Sequence, residues 1–243
     1  MKAIILCAGL GSRLKPWTDS HPKALVPVGG IPMLKRVSDN LIEQGFDEIT
    51  LNIHHFGDQI VSFIEGGGLG SRHVSISDET GALLDTGGGL LQAEEYLGYD
   101  HRPFLVHNVD ILSNADLRAL MSAHESSGRH VTLLVSDRTS NRKLIFDVDM
   151  NLRGWLNQSN GDTRPMDLVI ADSYRALSFS GIYVMSPDVF TLMRQYGFAG
   201  KFPIMDFLLS GIQELRIGGV SQEGLELIDI GKRLCQNRHS LFL

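Results

Sequence analysis

Residues 2–14, Lys2-Ala3-Ile4-Ile5-Leu6-Cys7-Ala8-Gly9-Leu10-Gly11-Ser12-Arg13-Leu14, are the stretch on which the fold turns. The run from Lys2 to Ala8 is apolar without alternation, the pattern of a strand covered on both faces, and it stops at glycine. Such a strand belongs in a parallel sheet, where the loops and helix N-termini at the C-terminal strand ends direct backbone N–H groups at one crevice. The stretch is not a dinucleotide fingerprint, because Leu14 stands where G-x-G-x-x-G needs glycine. The phosphate loop G-x-x-x-x-G-K-[ST] is absent as well.

Outward from this strand the apolar period switches repeatedly. Residues 32–44 predict a helix with Pro32 in its first turn and Gly45 as its stop. Strands are expected over 48–53, 74–77, 103–109 and 131–136, and helices over 57–65, 88–97 and 114–126. This β/α alternation predicts an α/β fold, a Rossmann-like three-layer sandwich with a mostly parallel mixed sheet and helices on both faces. Past residue 140 the pattern loosens into a hairpin over 144–155 about Asp149-Met150-Asn151 and a polar loop over 157–165. A strand over 178–184, a helix over 204–209, a strand over 225–230 and a terminal helix from 232 complete the reading. With no linker, repeat or low-complexity segment, one domain with a nucleotide half and a substrate half is expected.

The charge balance narrows the partners. The chain has 243 residues with 22 Lys plus Arg against 28 Asp plus Glu, a net charge of -6. That acidity argues against nucleic-acid and membrane-surface binding, which a basic excess usually accompanies. Residues 1–36 nevertheless hold Lys2, Arg13, Lys15, Lys23, Lys35 and Arg36 against Asp19 alone, so six minus one leaves +5 there and -11 elsewhere. A basic excess confined to one short segment points to a small anionic ligand. Cys7 and Cys235 are too few for a disulfide framework, and a reducing cytoplasm is expected. Residues 3–10 lack the flanks of a signal peptide, and no run approaches the roughly 20 apolar residues of a membrane span.

After Arg13 come Pro16, Thr18 and then Pro22-Lys23-Ala24-Leu25-Val26-Pro27-Val28. Together with Gly9-Leu10-Gly11-Ser12-Arg13-Leu14, this resembles the opening of the sugar-1-phosphate nucleotidyltransferases, G-x-G-x-R-L-x-P-x-T followed by P-K-x-L-x-P-V. The resemblance implies the nucleotide-diphospho-sugar transferase type of fold, with a nucleotide-binding half over about 1–110 and a sugar-phosphate half over about 111–243. It implies a reaction in which a sugar-phosphate oxygen attacks the α-phosphorus of a nucleoside triphosphate and pyrophosphate leaves. Such chemistry asks the protein for positioning and cations rather than a covalent nucleophile. Arg13 offers a planar fork for the leaving phosphates, and Lys23 a compact cation for the α-phosphate or the sugar phosphate. Ala8, Gly9, Gly11 and Ser12 are then expected to line the nucleotide, the glycines by letting it approach the backbone.

Three further segments extend the resemblance. Leu84-Asp85-Thr86-Gly87-Gly88-Gly89-Leu90 is similar to the segment that contacts base and ribose, in the form closest to N-acetylmuramate 1-phosphate uridylyltransferases, so Thr86, Gly87 and Gly88 are nucleotide candidates, and the whole pattern also resembles mannose-1-phosphate guanylyltransferase-like proteins. Phe104-Leu105-Val106-His107-Asn108-Val109-Asp110 matches a strand whose final aspartate holds Mg²⁺, with Val109 in place of the usual glycine. Leu227-Ile228-Asp229-Ile230-Gly231 matches the late Asp-[IV]-Gly that supplies a second metal ligand. Two carboxylates suit a hard cation whose octahedron is completed by phosphate oxygens and water. For the acceptor, Lys23, Asn108 and Phe179-Ser180-Gly181-Ile182 supply candidates, among them Ser180 and Gly181; Asn157, Arg142 and Lys143 are candidates whose plainer reading is solvated surface.

Lookalikes are set aside on local grounds. Gly68-Leu69-Gly70-Ser71-Arg72 repeats the first loop but follows a helix, and His124-Glu125 lacks the second histidine of a zinc-protease motif. Asp147-Val148-Asp149-Met150-Asn151 lacks the glycine and glutamate of a calcium loop. The expectation is a minimal, single-activity, Mg²⁺-dependent enzyme, a monomer or small homo-oligomer, taking a nucleoside triphosphate and a sugar 1-phosphate. Base and sugar stay open, phosphocholine as acceptor included. Two alternatives are an NDP-sugar-dependent glycosyltransferase using Asp147 and Asp149, and a non-catalytic nucleotide-sugar-sensing subunit; intact Arg13, Lys23, Asp110 and Asp229 speak against the second.

Overall fold

An unbroken apolar run is what a strand needs when it separates two cores. In the computed structural model, which describes residues 1–232, β1 (Lys2–Leu6) is buried along its whole length. Ala3 and Ile5 enter one core, and Ile4 and Leu6 enter another on the opposite face. The elements that follow are β2 (Pro27–Val28), β3 (Ile31–Pro32), α1 (Met33–Glu43), β4 (Glu48–Ile53), α2 (Gly57–Glu65), β5 (Val74–Asp78), α3 (Asp85–Gln92), α4 (Glu94–Leu97), β6 (Phe104–Asn108) and β7 (Ile111–Ser113). The second half contributes α5 (Leu117–Ser127), β8 (Val131–Ser136), β9 (Arg142–Phe146), β10 (Leu152–Asn157), β11 (Thr163–Arg164), β12 (Arg175–Met185), α6 (Asp188–Gln195), α7 (Ile204–Ser210), β13 (Ile217–Val220) and β14 (Leu227–Asp229).

Strands β5, β4, β1 and β6 lie side by side and parallel, and β12 adds antiparallel beyond β6. At 11 residues β12 serves two sets of partners. Residues 175–177 pair with β9, which carries β10 and β11, while the remainder pairs with β8, to which β13 adds in parallel. The register shifts between Phe179 and Tyr183, where Gly181 takes a φ of 82° open to glycine at little cost. One core packs α1, α2 and α5 on the sheet, the other α3, α4, α6 and α7. The architecture is the mostly parallel, helix-covered mixed sheet expected.

Register decides where a site can form. Leu6 of β1 stands opposite Asn52 of β4 and Asn108 of β6, so three C-terminal strand ends finish at one level. Chain segments leaving that rim converge on one crevice.

The structure departs from the sequence reading in several places. Between β1 and β2, a stretch the sequence reading leaves without an element, the chain makes three short 3-10 turns at Ser12–Leu14, Trp17–Asp19 and Lys23–Leu25, because Pro16 and Pro22 interrupt any longer helix. The helix expected over 88–97 begins at Asp85 and divides at Ala93. Helix α6 and strand β13 went unread. In β13, Gly218 and Gly219 hide the apolar pattern because a Cβ at either would strike a side chain, Arg129 at 2.1 Å and Met150 at 2.9 Å respectively. The terminal helix expected from 232, and Cys235, fall outside the described residues except for Lys232.

Candidate active site

The loop after β1 folds as one unit with the Pro-Lys segment. Gly11 takes a φ of 63°, and its carbonyl accepts from Leu14 N–H at 2.7 Å and from the Thr18 hydroxyl at 2.9 Å. A Cβ at Gly11 would lie 2.8 Å from Thr18 Cγ2 and 2.9 Å from Lys23 Cβ. Glycine is therefore required by backbone and by neighbours, and the close fit presses Lys23 under the loop. Gly9 is open, with Lys23 Nζ 3.9 Å from the position its Cβ would take. Of the remaining early cations, Lys15 and Lys35 form i,i+4 pairs with Asp19 and Asp39, and Arg36 Nε donates to the Val28 carbonyl.

Asp110 and Asp229 are far apart in the chain and adjacent in space. β7, which begins just after Asp110, pairs antiparallel with β14, setting Asp229 opposite Ile111. Ile230 N–H donates to the Asp110 carbonyl at 2.9 Å. Lys23 Nζ is 2.7 Å from Asp110 Oδ2; Arg13 reaches the same oxygen at 4.0 Å and Asp229 Oδ1 at 3.9 Å. Two cations and two carboxylates thus share one small volume. Val109 does not obstruct it: the side chain is fully buried in the core beneath β1, and its N–H donates to the Leu6 carbonyl at 3.4 Å.

A cavity of about 290 Å³ opens beside this quartet, lined by Ala8, Gly9, Arg13, Lys23, Asn108 and Asp110 together with Leu6, Asn52, Leu83, Asp85 and Thr86. Leu6, Asn52, Leu83 and Asp85 were not read from the sequence. Leu6 and Asn52 are the rim positions that register brings level with Asn108. Asn52 is held firmly: its Oδ1 accepts from Cys7 N–H at 2.7 Å, and its Nδ2 donates to Glu79 Oε1 at 2.7 Å. Glu79 also accepts from Leu84 N–H at 3.1 Å, tying the 79–84 loop to the rim. Burial raises the Glu79 carboxyl, and the Asn52 and Leu84 donors work against that rise. Beneath the rim, burial drives the Cys7 thiol strongly upward and lowers His107 to about 4, leaving both neutral.

At the glycine-rich helix start, Thr86 faces the cavity while Gly87 and Gly88 face a neighbouring segment. The N–H groups of Gly87 and Gly88 donate to the Phe202 carbonyl, and neither residue lines the cavity. Cβ atoms on them would fall 2.2 Å from Phe202 and 2.1 Å from the Gly200 carbonyl. These glycines let α3 pack on the 200–202 segment. Thr86 lines the cavity, but its Oγ1 also accepts from Ile204 N–H at 2.9 Å, and Ser12 is exposed outside it. On the acceptor side, Gly181 abuts Asn108, whose Nδ2 would sit 2.7 Å from a Cβ there. Ser180 is buried, and its Oγ serves the bulge by accepting from Ile182 N–H at 3.1 Å. Asn157 Oδ1 is taken by the Ser159 N–H and hydroxyl, closing a turn. Lys143, read as surface, is 7% exposed and lines a second cavity with Arg142.

The fit of a divalent cation can be tested on the donor set. Asp110 and Asp229 are hard oxygen ligands facing one space, and Gly231 keeps it open, since a Cβ there would lie 3.3 Å from Asp110 Oδ2 and from the Arg13 guanidinium. Among the described residues no cluster of three or more His, Cys, Asp or Glu exists that would hold a metal by protein groups alone. Two carboxylates with the rest of the shell left to phosphate and water is the arrangement Mg²⁺ favours. The residues present fit such an ion. No helix among the described residues is long and apolar enough to cross a membrane.

A cleft of about 290 Å³ at the C-terminal rim of parallel strands, with two cations facing two carboxylates, suits nucleotidyl transfer. The chain belongs to the MobA-like NTP transferase domain family, whose signature matches residues 3–188, and within it to the sugar-1-phosphate nucleotidyltransferases. It is 31% identical to the N-acetylmuramate alpha-1-phosphate uridylyltransferase of Neisseria meningitidis serogroup B over 95% of this chain and 93% of that protein. Identity to the enzyme of the same name from Caulobacter vibrioides is 29%, over 92% and 89% of the two chains. The crystal structure of HddC from Yersinia pseudotuberculosis shares the fold with a TM-score of 0.75 at 22% identity, covering 98% of this chain and 99% of that one.

Proposed function

We propose that this chain transfers a uridylyl group from UTP to a sugar 1-phosphate, releasing pyrophosphate and a UDP-sugar, with Mg²⁺ held by Asp110 and Asp229. The observation that carries the reading is the meeting of Arg13 and Lys23 with both carboxylates at the rim where β1, β4 and β6 end. Relatives that match nearly the whole chain are named uridylyltransferases, which supports UTP as donor.

The base and ribose occupy the cavity between the Ala8–Gly9 backbone and the segment carrying Leu83, Asp85 and Thr86, with Asn52 and Asn108 at its base. Arg13 faces the β- and γ-phosphates and offsets the charge that grows on pyrophosphate as its bond to the α-phosphorus breaks. Lys23 draws the acceptor phosphate oxygen toward the α-phosphorus and neutralises the non-bridging oxygens during attack. A divalent cation held by Asp110 and Asp229 would supply Lewis-acid polarisation of the phosphates. The nucleotide half then lies over about 1–110 and the acceptor half over about 111–243. A buried, unpaired Cys7 thiol suits a reducing, cytoplasmic setting.

The test is pyrophosphate release from UTP, GTP, CTP and dTTP, each paired with a panel of sugar 1-phosphates in the presence of Mg²⁺. UTP is expected to lead. Release with GTP alone would correct the base, and sugar transfer from an NDP-sugar without pyrophosphate release would replace the reading with a glycosyltransferase.

A further inference from the structure

Glu79 is a buried carboxylate, 2% exposed at the edge of the nucleotide cleft, for which the transfer reaction has no use. Its two oxygens meet N–H donors rather than a cation: Oε1 accepts from Asn52 Nδ2 at 2.7 Å and Oε2 from Leu84 N–H at 3.1 Å. Room for this pair is kept by Gly89, the third glycine of its run, where a Cβ would fall 2.3 Å from Glu79 Oε1 and 2.8 Å from Asn52 Nδ2. Asn52 is fixed at both ends of its amide, since Oδ1 accepts from Cys7 N–H at 2.7 Å. A flipped amide would set N–H against N–H at Cys7 and oxygen against oxygen at Glu79, so one orientation is allowed. That orientation leaves one Nδ2 hydrogen over, on a residue that lines the cleft.

The place of that hydrogen says what it reads. The strands run in the order β6, β1, β4, and neighbours lie about 4.8 Å apart, so Asn52 stands about 10 Å across the rim from the strand that leads to Asp110. A nucleotide whose phosphates meet Arg13 and Lys23 therefore extends its ribose and then its base along this span. At the ring position opposite the ribose bond, uracil carries an oxygen that accepts and cytosine an amino group that donates, whereas O2 is common to both. A fixed N–H facing that position pairs with uracil. Against cytosine it leaves two donors facing each other, both stripped of water.

We propose that Asn52 is the base-selecting residue of this site, donating Nδ2–H to the carbonyl oxygen opposite the ribose bond, and that Glu79 is the positioning residue that aims it. The inference rests on the uridylyl-transfer reading and adds to it the group that tells UTP from CTP. Only a carboxylate can aim the amide in this way, because both oxygens of Glu79 accept. A glutamine at 79 would turn its own N–H groups toward Asn52 or toward Leu84, and one of the two bonds would be lost.

The first test leaves the protein unaltered. Isothermal titration with UTP, CTP and the triphosphate of pyrimidin-2-one riboside, which carries only hydrogen at C4, is run with Mg²⁺ and without acceptor. UTP is expected to bind at least about tenfold more tightly than either. Equal binding of UTP and the analogue without the C4 oxygen would overturn the proposal, and so would CTP bound as tightly as UTP. The analogue also lacks the N3 hydrogen, so a second test acts on the protein. The double variant Asn52→Asp with Glu79→Gln keeps the net charge and gives each hydrogen bond a counterpart: the new carboxylate accepts from Cys7 N–H and from the new amide, whose oxygen accepts from Leu84 N–H. The group left to face the base is then an acceptor. The ratio of UTP to CTP affinity should shift toward CTP by at least about tenfold, and Glu79→Gln alone should move it toward one. An unchanged ratio in a double variant of native melting temperature would overturn the proposal, because a pair with a purely structural part leaves base choice alone. If no nucleotide and acceptor release pyrophosphate, the transferase reading fails by itself, while these binding ratios still decide the part played by Asn52.

Discussion

Lys23 Nζ lies 2.7 Å from Asp110 Oδ2, a contact that joins the Pro-Lys turn to the end of β6 across the floor of the cleft. The lysine is held there by a glycine that cannot carry a side chain, and the aspartate by the backbone bond between its carbonyl and Ile230. The pair sets the charge of the site before any substrate arrives.

Asp110→Ala and Asp229→Ala should each lower Mg²⁺-dependent pyrophosphate release by at least about a hundredfold. Asp110 lies just past the C-terminal end of β6 and Asp229 at the end of β14, and neither belongs to an apolar core, so far-UV circular dichroism should stay native. Near-normal turnover in either variant would remove that residue from the metal site.

Lys23→Ala should raise the KM for the sugar phosphate and lower kcat while leaving UTP affinity nearly intact, because the lysine faces the acceptor side of the α-phosphorus. Isothermal titration with UTP and steady-state kinetics separate the two effects. Equal losses in UTP and sugar-phosphate binding would contradict the role.

Gly11→Ala forces a β-carbon into a left-handed turn and against Thr18 and Lys23. A stability loss of about 1–2 kcal/mol is expected, together with a fall in kcat as Lys23 is displaced. Urea unfolding and turnover measured on the same preparation check both, and an alanine tolerated in both would show that the loop has room the geometry denies.

Gly88→Ala tests whether the glycine-rich helix start serves packing or nucleotide. The new Cβ would fall 2.1 Å from the Gly200 carbonyl, a backbone atom that cannot swing away. The melting temperature should drop, reflecting a cost of about 1–3 kcal/mol, with UTP affinity of the folded protein little changed. An unchanged melting temperature with lost UTP affinity would restore the direct nucleotide contact.

Stability should fall as the medium is acidified from about pH 6.5 toward 4. His124, buried between Thr132 Oγ1 at 3.0 Å and Ser186 Oγ at 2.9 Å, is lowered from 6.5 to about 4, chiefly by burial and further by Arg129 and His130. Below 6.5 the unfolded chain binds a proton that the folded chain refuses, so folding weakens through that window and is least affected above it. Denaturant midpoints measured across this range should flatten in His124→Gln. An identical slope in that variant would place the acid sensitivity elsewhere.

Local pattern made much of this legible. The apolar run of β1 announced a two-faced strand, and Gly9, Gly11, Arg13 and Lys23 marked the segment after it as one directed at phosphates through its resemblance to a known opening. Asp110 was readable because an apolar strand ended on a charge. Leu6 and Asn52 were not, since only register places them on the rim with Asn108. Gly87 and Gly88 were ambiguous for the opposite reason: a glycine run looks the same whether it admits a ligand or a neighbouring segment. Lys143 looked like surface because a lone lysine in a strand carries no sign of what will cover it.

By itself the sequence determined most of the strand and helix alternation up to β8, the family and the identity of the charged groups, because periodicity, proline and glycine act over a few residues. Tertiary structure alone decided which charges meet. β7 and β14 bring Asp229 to Asp110, and the pairing of β12 with both β8 and β9 gathers Arg138, Arg142 and Lys143 around a space shared with Trp155 and Phe179. Those encounters depend on sheet register between distant segments, and register is set by the packing of the whole core rather than by the residues that meet.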